Sequence, residues 1–150
     1  MASIRLAGPD DLSTLKPLLA GFRDFWGRAE PTDEAIERGL TTLLGDPDTE
    51  FLLGEPGLGF AALRYRFVVW TDSLECELED LFVLDSERGS GLGRALSEAA
   101  VARARERGCR RMNISANDAN EPAIALYRSL GFSAWHDPPG GNNLSLRRVL

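Results

Sequence analysis

The sequence predicts a mixed α/β fold, with a mostly antiparallel central sheet of six to seven strands and helices on both faces. Three observations carry this reading. Two amphipathic helical patterns open the chain, three strand-like runs follow in succession, and helical and strand patterns then alternate from residue 92 to the end. Short connections between neighbouring strands favour antiparallel pairing, whereas a strand reached through a helix can run parallel to its neighbour. At 150 residues the chain has the size of one domain, expected over 1–150, and can bury roughly two thirds of its unfolded surface.

The elements follow in order. A short strand at Ser3–Leu6 precedes Pro9-Asp10-Asp11, after which Leu12, Leu15, Leu18, Leu19, Phe22 and Phe25 recur at helical spacing. A second helix opens at Pro31-Thr32-Asp33-Glu34, where Thr32 can cap, and runs through Ile36, Leu40, Leu43 and Leu44. Both helices can be packing elements alone, or the junction at Phe25, Trp26 and Arg28 can border a substrate cleft. The strand runs are Glu50–Leu53, Gly59–Val69 and Leu74–Leu84, separated by Gly54-Glu55-Pro56-Gly57 and Thr71-Asp72-Ser73. A helix at Leu92–Arg107, a strand at Arg110–Ser115, a helix at Glu121–Leu130 and strands at Phe132–Trp135 and Leu144–Val149 complete the expectation.

Composition narrows the classes. Hydrophobic residues at 43% and charged residues at 27% match a water-soluble domain, and no apolar run reaches the roughly 18 residues of a membrane helix. With no basic-then-apolar leader at Met1, a cytoplasmic protein is expected. The net charge of −6 argues against a nucleic-acid partner, whose binders carry a basic face, and favours cationic partners instead. The arginine-rich helix (Arg94, Arg103, Arg105, Arg107) reads as a solvated surface balanced by Glu98 and Glu106. Cys76 and Cys109 lack metal-ligand spacing, so buried thiols and no metal site are expected. His136, the only histidine, reads as a surface residue.

The stretch Arg88-Gly89-Ser90-Gly91-Leu92-Gly93-Arg94 lies where a strand pattern ends and a helical one begins. Glycines uncover backbone N–H groups and permit φ > 0, and the helix start presents unpaired amides, so the turn suits an anionic group such as a pyrophosphate. Arg88 and Arg94 would add charge-assisted hydrogen bonds. The nucleotide P-loop is excluded because no Lys follows Gly93; the only lysine is Lys16. The dinucleotide fingerprint is excluded because the glycines fall at 89, 91 and 93. A plain helix-capping turn remains the alternative.

Strict alternation in the preceding strand puts Glu75, Glu77 and Glu79 on one face with Leu81 and Val83, and Cys76, Leu78, Asp80 and Phe82 on the other. A carboxylate reaching a partly buried cleft could take a proton from an amine directly or through a water; a solvated acidic face is the alternative. Downstream, Asn120 reads as the N-cap of a helix with Pro122 in its first turn, Ala123, Leu126, Tyr127 and Leu130 on one face, and Gly131 at its end. Tyr127 would face the sheet, as a core tyrosine or as an acid.

Together, L-F-V-(x)4-R-G-x-G-x-G at 81–93 and N-x-x-A-x-x-x-Y-x-x-x-G-F at 120–132 resemble the GCN5-related N-acetyltransferase (GNAT) family over roughly residues 74 to 135. The wording of Leu78–Val83 and Asn120–Ile124 is most similar to spermidine/spermine and diamine N-acetyltransferases. The resemblance implies acetyl-CoA as co-substrate, with its pyrophosphate on the backbone of Arg88, Gly89, Ser90, Gly91, Leu92, Gly93 and Arg94. It implies pantetheine pairing along Leu81, Phe82 and Val83 where the neighbouring strand splays away, and contact from Asn120. It also implies Tyr127 as general acid and Glu79, with Glu77 as alternate, as base, while Phe25, Trp26 and Asp80 would meet the substrate. The stretch after Phe132, with Ala134-Trp135-His136 and a Pro/Gly/Asn loop, departs from a charged polyamine-type ending.

The function expected is acetyl transfer to the primary amine of a small cationic molecule of polyamine, amino-acid or aminoglycoside type, by direct attack, in a chain that can form a homodimer. Such an amine, with a pKa near 10.4, is protonated at pH 7 and must lose a proton before it attacks. The rivals are a catalytically silent acyl-CoA sensor, which needs neither acid nor base, and an acetyltransferase of protein N-termini or lysines.

Overall fold

The computed structural model describes residues 2–134 and 145–150. The chain divides into two compact units, Met1–Ser115 and Ala116–Leu150. The first holds β1 (Ile4–Leu6), α1 (Leu12–Phe25), α2 (Asp33–Leu44), β2 (Thr49–Gly54), β3 (Gly59–Val68), β4 (Ser73–Val83), α3 (Leu92–Glu106) and β5 (Arg111–Ile114). The second holds α4 (Glu121–Ser129).

Five strands form one sheet in the order β1-β2-β3-β4-β5. The β2–β3 and β3–β4 pairings are antiparallel, as their short turns favour; β1 also pairs antiparallel with β2, across the two intervening helices, and β4 pairs parallel to β5 after the crossover through α3. Local chemistry sets the helix ends. Thr32 caps α2 by accepting a hydrogen bond from the Ala35 amide at 3.2 Å. Gly59 opens β3 because a Cβ there would lie 2.7 Å from the Phe82 carbonyl oxygen.

The two sheet faces bury different helices. Leu15 and Leu18 of α1 and Ile36 and Leu40 of α2 pack on Phe51, Leu53, Phe60, Ala62 and Phe82. On the other face, Leu92 and Leu96 of α3 lie over Gly54 and Gly59, and Ala61, Leu63 and Leu78 are buried as well. Each fully buried Leu or Phe contributes roughly 1.5–3 kcal/mol, so the two apolar layers dominate the stability of this unit.

One end of α3 is tied to the sheet by charge. Glu50 of β2 accepts from Arg103 Nε at 2.9 Å and Nη2 at 2.7 Å, and from the Tyr65 hydroxyl at 2.8 Å. Burial alone would raise the Glu50 carboxyl, but these donors hold it below its ordinary range. The Arg107 guanidinium lies 4.0 Å over the Tyr65 ring.

Among the described residues the sheet has five strands rather than six to seven. Phe132–Ala134 forms no strand because the backbone there closes α4: Gly131, at φ 92°, donates to the Arg128 carbonyl, and Phe132 donates to the Tyr127 carbonyl at 3.0 Å. Trp135, His136 and Leu144 lie outside the described residues. Residues 145–150 carry no strand either; Arg147-Arg148 interrupts their apolar alternation, and Leu146 and Val149 are exposed. Among the described residues no helix is long and apolar enough to cross a membrane.

Candidate active site

At the end of β4 the chain makes a short turn, Asp85–Glu87, and enters the glycine stretch. Gly89 and Gly91 adopt φ of 79° and 91°, and a Cβ at either would meet nothing within 4 Å. Backbone conformation rather than crowding therefore selects glycine, and the space beside the turn is open. Ser90 shapes the turn from within, its hydroxyl donating to the Glu87 carbonyl at 2.6 Å and accepting from the Leu92 amide at 3.3 Å. Gly91 is the N-cap of α3, and no acidic residue stands in that helix's first turn. The positive end of the helix dipole is thus left uncompensated, which fits an anionic group.

Arg88 joins this turn to α1. Its Nε lies 3.0 Å from Asp85 Oδ1, and its guanidinium lies 4.4 Å over the Phe25 ring. Phe25 in turn packs edge-on against Trp26 at 5.3 Å. Both aromatic residues are nearly half exposed, so the tip of α1 presents an apolar surface beside the glycine turn.

Along β4, pairing with β5 begins at Glu75 opposite Arg111 and ends at Leu78 opposite Ile114. From Glu79 to Val83, among the described residues, the β5-side edge of β4 carries no ladder partner. Backbone N–H and C=O groups of Leu81, Phe82 and Val83 on that side are left to pair with something else.

The alternation expected in β4 is broken at this same point. Ala62 opposes Asp80, but the next residue, Leu63, opposes Leu78, so Glu79 is the extra residue of a β-bulge. Residues directly opposite share a face. Asp80 therefore stands with Ala62 on the α1/α2 face, and Glu77 stands with Arg64 on that same face. Alternation alone put Asp80 with Leu78; the bulge moves it beside the glutamates.

These carboxylates are not equivalent. Glu77 and Glu79 are exposed, and Glu79 lies 3.8 Å from Arg64. Asp80 is partly buried, and that burial, reinforced by the negative charge of Glu79, pushes its carboxyl up to about 6 despite Arg64. A groove of about 220 Å³ continues along the sheet from them, lined by Arg64, Arg66, Glu75, Glu77, Asn113 and Ser115, with Tyr65 and Cys76 at its base. Glu75 is held in it by Asn113 at 3.3 Å, Thr71 at 3.3 Å and Arg111 at 3.6 Å. Burial pushes the Cys76 thiol up to about 12, so it stays protonated at neutral pH.

In the second unit, Asn120 caps α4, its side-chain oxygen accepting from the Ala123 amide at 3.4 Å. Tyr127 packs edge-on against Phe132, with ring centroids 6.2 Å apart. Burial raises its phenol above the ordinary value, so it remains a proton donor through neutral pH.

The model of the acetyltransferase (GNAT) family matches residues 15–132, a span that takes in the glycine turn, the bulged strand and α4. The chain belongs to the GNAT family. Similar GNAT proteins include the aminoglycoside N(6′)-acetyltransferase type 1 of Stenotrophomonas maltophilia, 34% identical over 138 residues and covering 87% of this chain and 85% of the relative. The streptothricin acetyltransferase of Streptomyces lavendulae is 40% identical over 75 residues, or 50% of this chain, which spans 38% of that enzyme. A crystal structure of a protein described as an acetyltransferase from Arthrobacter sp. FB24 superposes with a TM-score of 0.87 at 31% identity, covering 100% of this chain and 97% of that one.

Within this GNAT scaffold the structure brings the expected glycine turn, the strand edge, the acidic group and the α1 tip into the first unit, while Asn120 and Tyr127 belong to the second. Sequence reasoning named Glu75 among the strand carboxylates but missed Arg64, Arg66 and Asn113. These come from β3 and β5, and only the cross-strand register assembles them around β4. Among the described residues no cluster of three or more His, Cys, Asp or Glu side chains is arranged to hold a metal ion.

Proposed function

We propose that this GNAT-family chain transfers the acetyl group of acetyl-CoA to the primary amine of a small cationic molecule. The observation that carries this is the coincidence of three features at the end of β4: the unpaired edge, the bulge that groups Glu77, Glu79 and Asp80, and the glycine turn that follows. Acetyl-CoA supplies an activated thioester carbonyl. Within the Arg88–Arg94 turn, where the Arg88, Ser90 and Leu92 amides already donate to Asp85, Glu87 and Ser90, the amides of Gly89, Gly91 and Gly93, with the Arg88 and Arg94 side chains, hold its pyrophosphate, and the free edge at Leu81, Phe82 and Val83 hydrogen-bonds its pantetheine arm, with Asn120 as a further contact. Phe25 and Trp26 border the acceptor.

The acceptor arrives as an ammonium ion and must lose a proton before its nitrogen attacks the carbonyl carbon. Asp80 is the carboxylate best matched to take it near neutral pH, because its pKa of about 6 makes it both ionised and basic. Glu79 and Glu77 attract the cation and stand as alternative bases, directly or through a water. As the C–N bond forms and the C–S bond breaks, Tyr127, protonated at neutral pH, donates to the departing sulfur. Burial raises the thiols of both Cys76 and Cys109, so both stay protonated at neutral pH and neither favours a covalent route, and direct attack is the reading that fits.

Aminoglycoside and streptothricin relatives point to amine-bearing small molecules, whereas a polyamine acceptor rests only on the wording at Leu78–Val83 and Asn120–Ile124. Thiol release from acetyl-CoA, measured against a panel of polyamines, amino acids and aminoglycosides, tests the proposal. Amine-dependent release supports it. Silence throughout, with acetyl-CoA still raising the melting temperature, would leave an acyl-CoA sensor. A homodimer belongs to the same proposal and is checked by light scattering.

A further inference from the structure

The groove beside the bulge contains charges of both signs, and most of them are already matched. Glu75 is taken by Arg111, Asn113 and Thr71, and Glu79 faces Arg64. Two charges are left over. Among the described residues Arg66 makes no ion pair or hydrogen bond, and neither does Glu77, although both line the groove. The two do not satisfy each other. Arg66 stands opposite Glu75 and Arg64 opposite Glu77, so Arg66 and Glu77 are diagonal neighbours, roughly 7–8 Å apart at the backbone.

A surface meant only for a cation has no use for a leftover guanidinium on the same face, since it would repel the ammonium group that Glu77 and Asp80 attract. A guanidinium presents a planar fork that matches a carboxylate in two-point geometry. We infer that the acceptor is zwitterionic: it carries a carboxylate that Arg66 binds, while its amine lies toward Glu77 and Asp80. The diagonal spacing suits a molecule whose amine and carboxylate are separated by several bonds, such as a diamino acid or an ω-amino acid. This rests on the acetyltransferase reading and narrows its substrate class.

The test compares matched acceptors at saturating acetyl-CoA: lysine against cadaverine, and 5-aminopentanoate against butylamine. The carboxylate-bearing member of each pair is expected to have a kcat/KM at least tenfold higher, with the difference mainly in KM. Loss of a charge-assisted hydrogen bond costs roughly tenfold to a hundredfold, so Arg66→Gln should collapse that ratio toward one, and Arg66→Lys should retain part of it. Arg66 is exposed on β3, so both variants are expected to fold, which the melting temperature verifies. Equal or better turnover of the decarboxylated partner by the wild type overturns the inference alone, as does an unchanged ratio in Arg66→Gln. Absence of thiol release with every amine overturns the acetyltransferase reading along with it.

Discussion

Replacing Asp80 with Asn removes a carboxylate that the folded chain ionises at a cost. An aspartate ordinarily titrates near 3.8; in the folded chain burial, and then Glu79, push it to about 6. At pH 8 the group is ionised in both folded and unfolded chains, and the difference corresponds to about 3 kcal/mol of destabilisation. The sign follows from proton binding. Between about pH 4 and 6 the folded state holds more protons than the unfolded one, so stability falls as pH rises through that window. Asp80→Asn removes the dependence, and its stability relative to wild type should improve by about 2 kcal/mol on going from pH 4 to pH 8, roughly 4–8 °C in Tm. The same variant should lose about 10²- to 10⁴-fold in amine-dependent thiol release, and the fall in kcat/KM below about pH 6 should vanish from its profile. Urea or thermal unfolding at the two pH values, with thiol release on the same preparations, gives both readouts. An identical stability difference at pH 4 and pH 8 would refute the burial argument, and near wild-type turnover would refute the assignment of Asp80 as base.

Three further outcomes are expected. Gly91→Asp puts a carboxylate at the start of α3 and should abolish the rise in Tm caused by acetyl-CoA, whereas Gly91→Asn, with the same strain at φ 91° and no charge, should retain part of it. Tyr127→Phe should lower kcat about 10²- to 10⁴-fold while leaving acetyl-CoA affinity, read by calorimetry, within a few-fold of wild type. Glu50→Gln should cost about 1–2 kcal/mol at pH 7, moderated by solvent screening, because Arg103 and Tyr65 lose a charged acceptor. The folded pKa of Glu50 is depressed, so that loss should shrink as pH falls below about 4, which unfolding curves at pH 7 and pH 3.5 will show.

Periodicity made the helical face legible: Leu15, Leu18, Ile36 and Leu40, spaced for α1 and α2, are all buried. The Thr32 cap and the glycine turn were legible too, because each depends on a residue type at a local position. The bulge was not. A period of two carries no sign of an added residue, so Asp80 fell on the wrong face until the pairing of Ala62 and Leu63 fixed the register. The groove was hidden for a related reason, since Arg66, Glu77 and Asn113 are far apart in sequence and meet only across strands. The strand expected from Phe132 failed because Gly131, read as a helix stop, also takes the Phe132 amide into the closure of α4.

The extra residue in β4 bears on how this chain can change over generations. Exchanging Glu79 for another side chain alters one exposed position. Losing it by an in-frame deletion is equally compatible with the sheet, because Asp80 stays opposite Ala62 and Leu78 opposite Leu63, so Glu77 keeps the α1/α2 face and Cys76 and Leu78 keep the layer under α3. What disappears is the local bend and added twist of the bulge, and with them the carboxylate beside Arg64. Drift or loss at residue 79 is therefore free to sample different shapes of this cleft while the pairing of the strand is inherited unchanged.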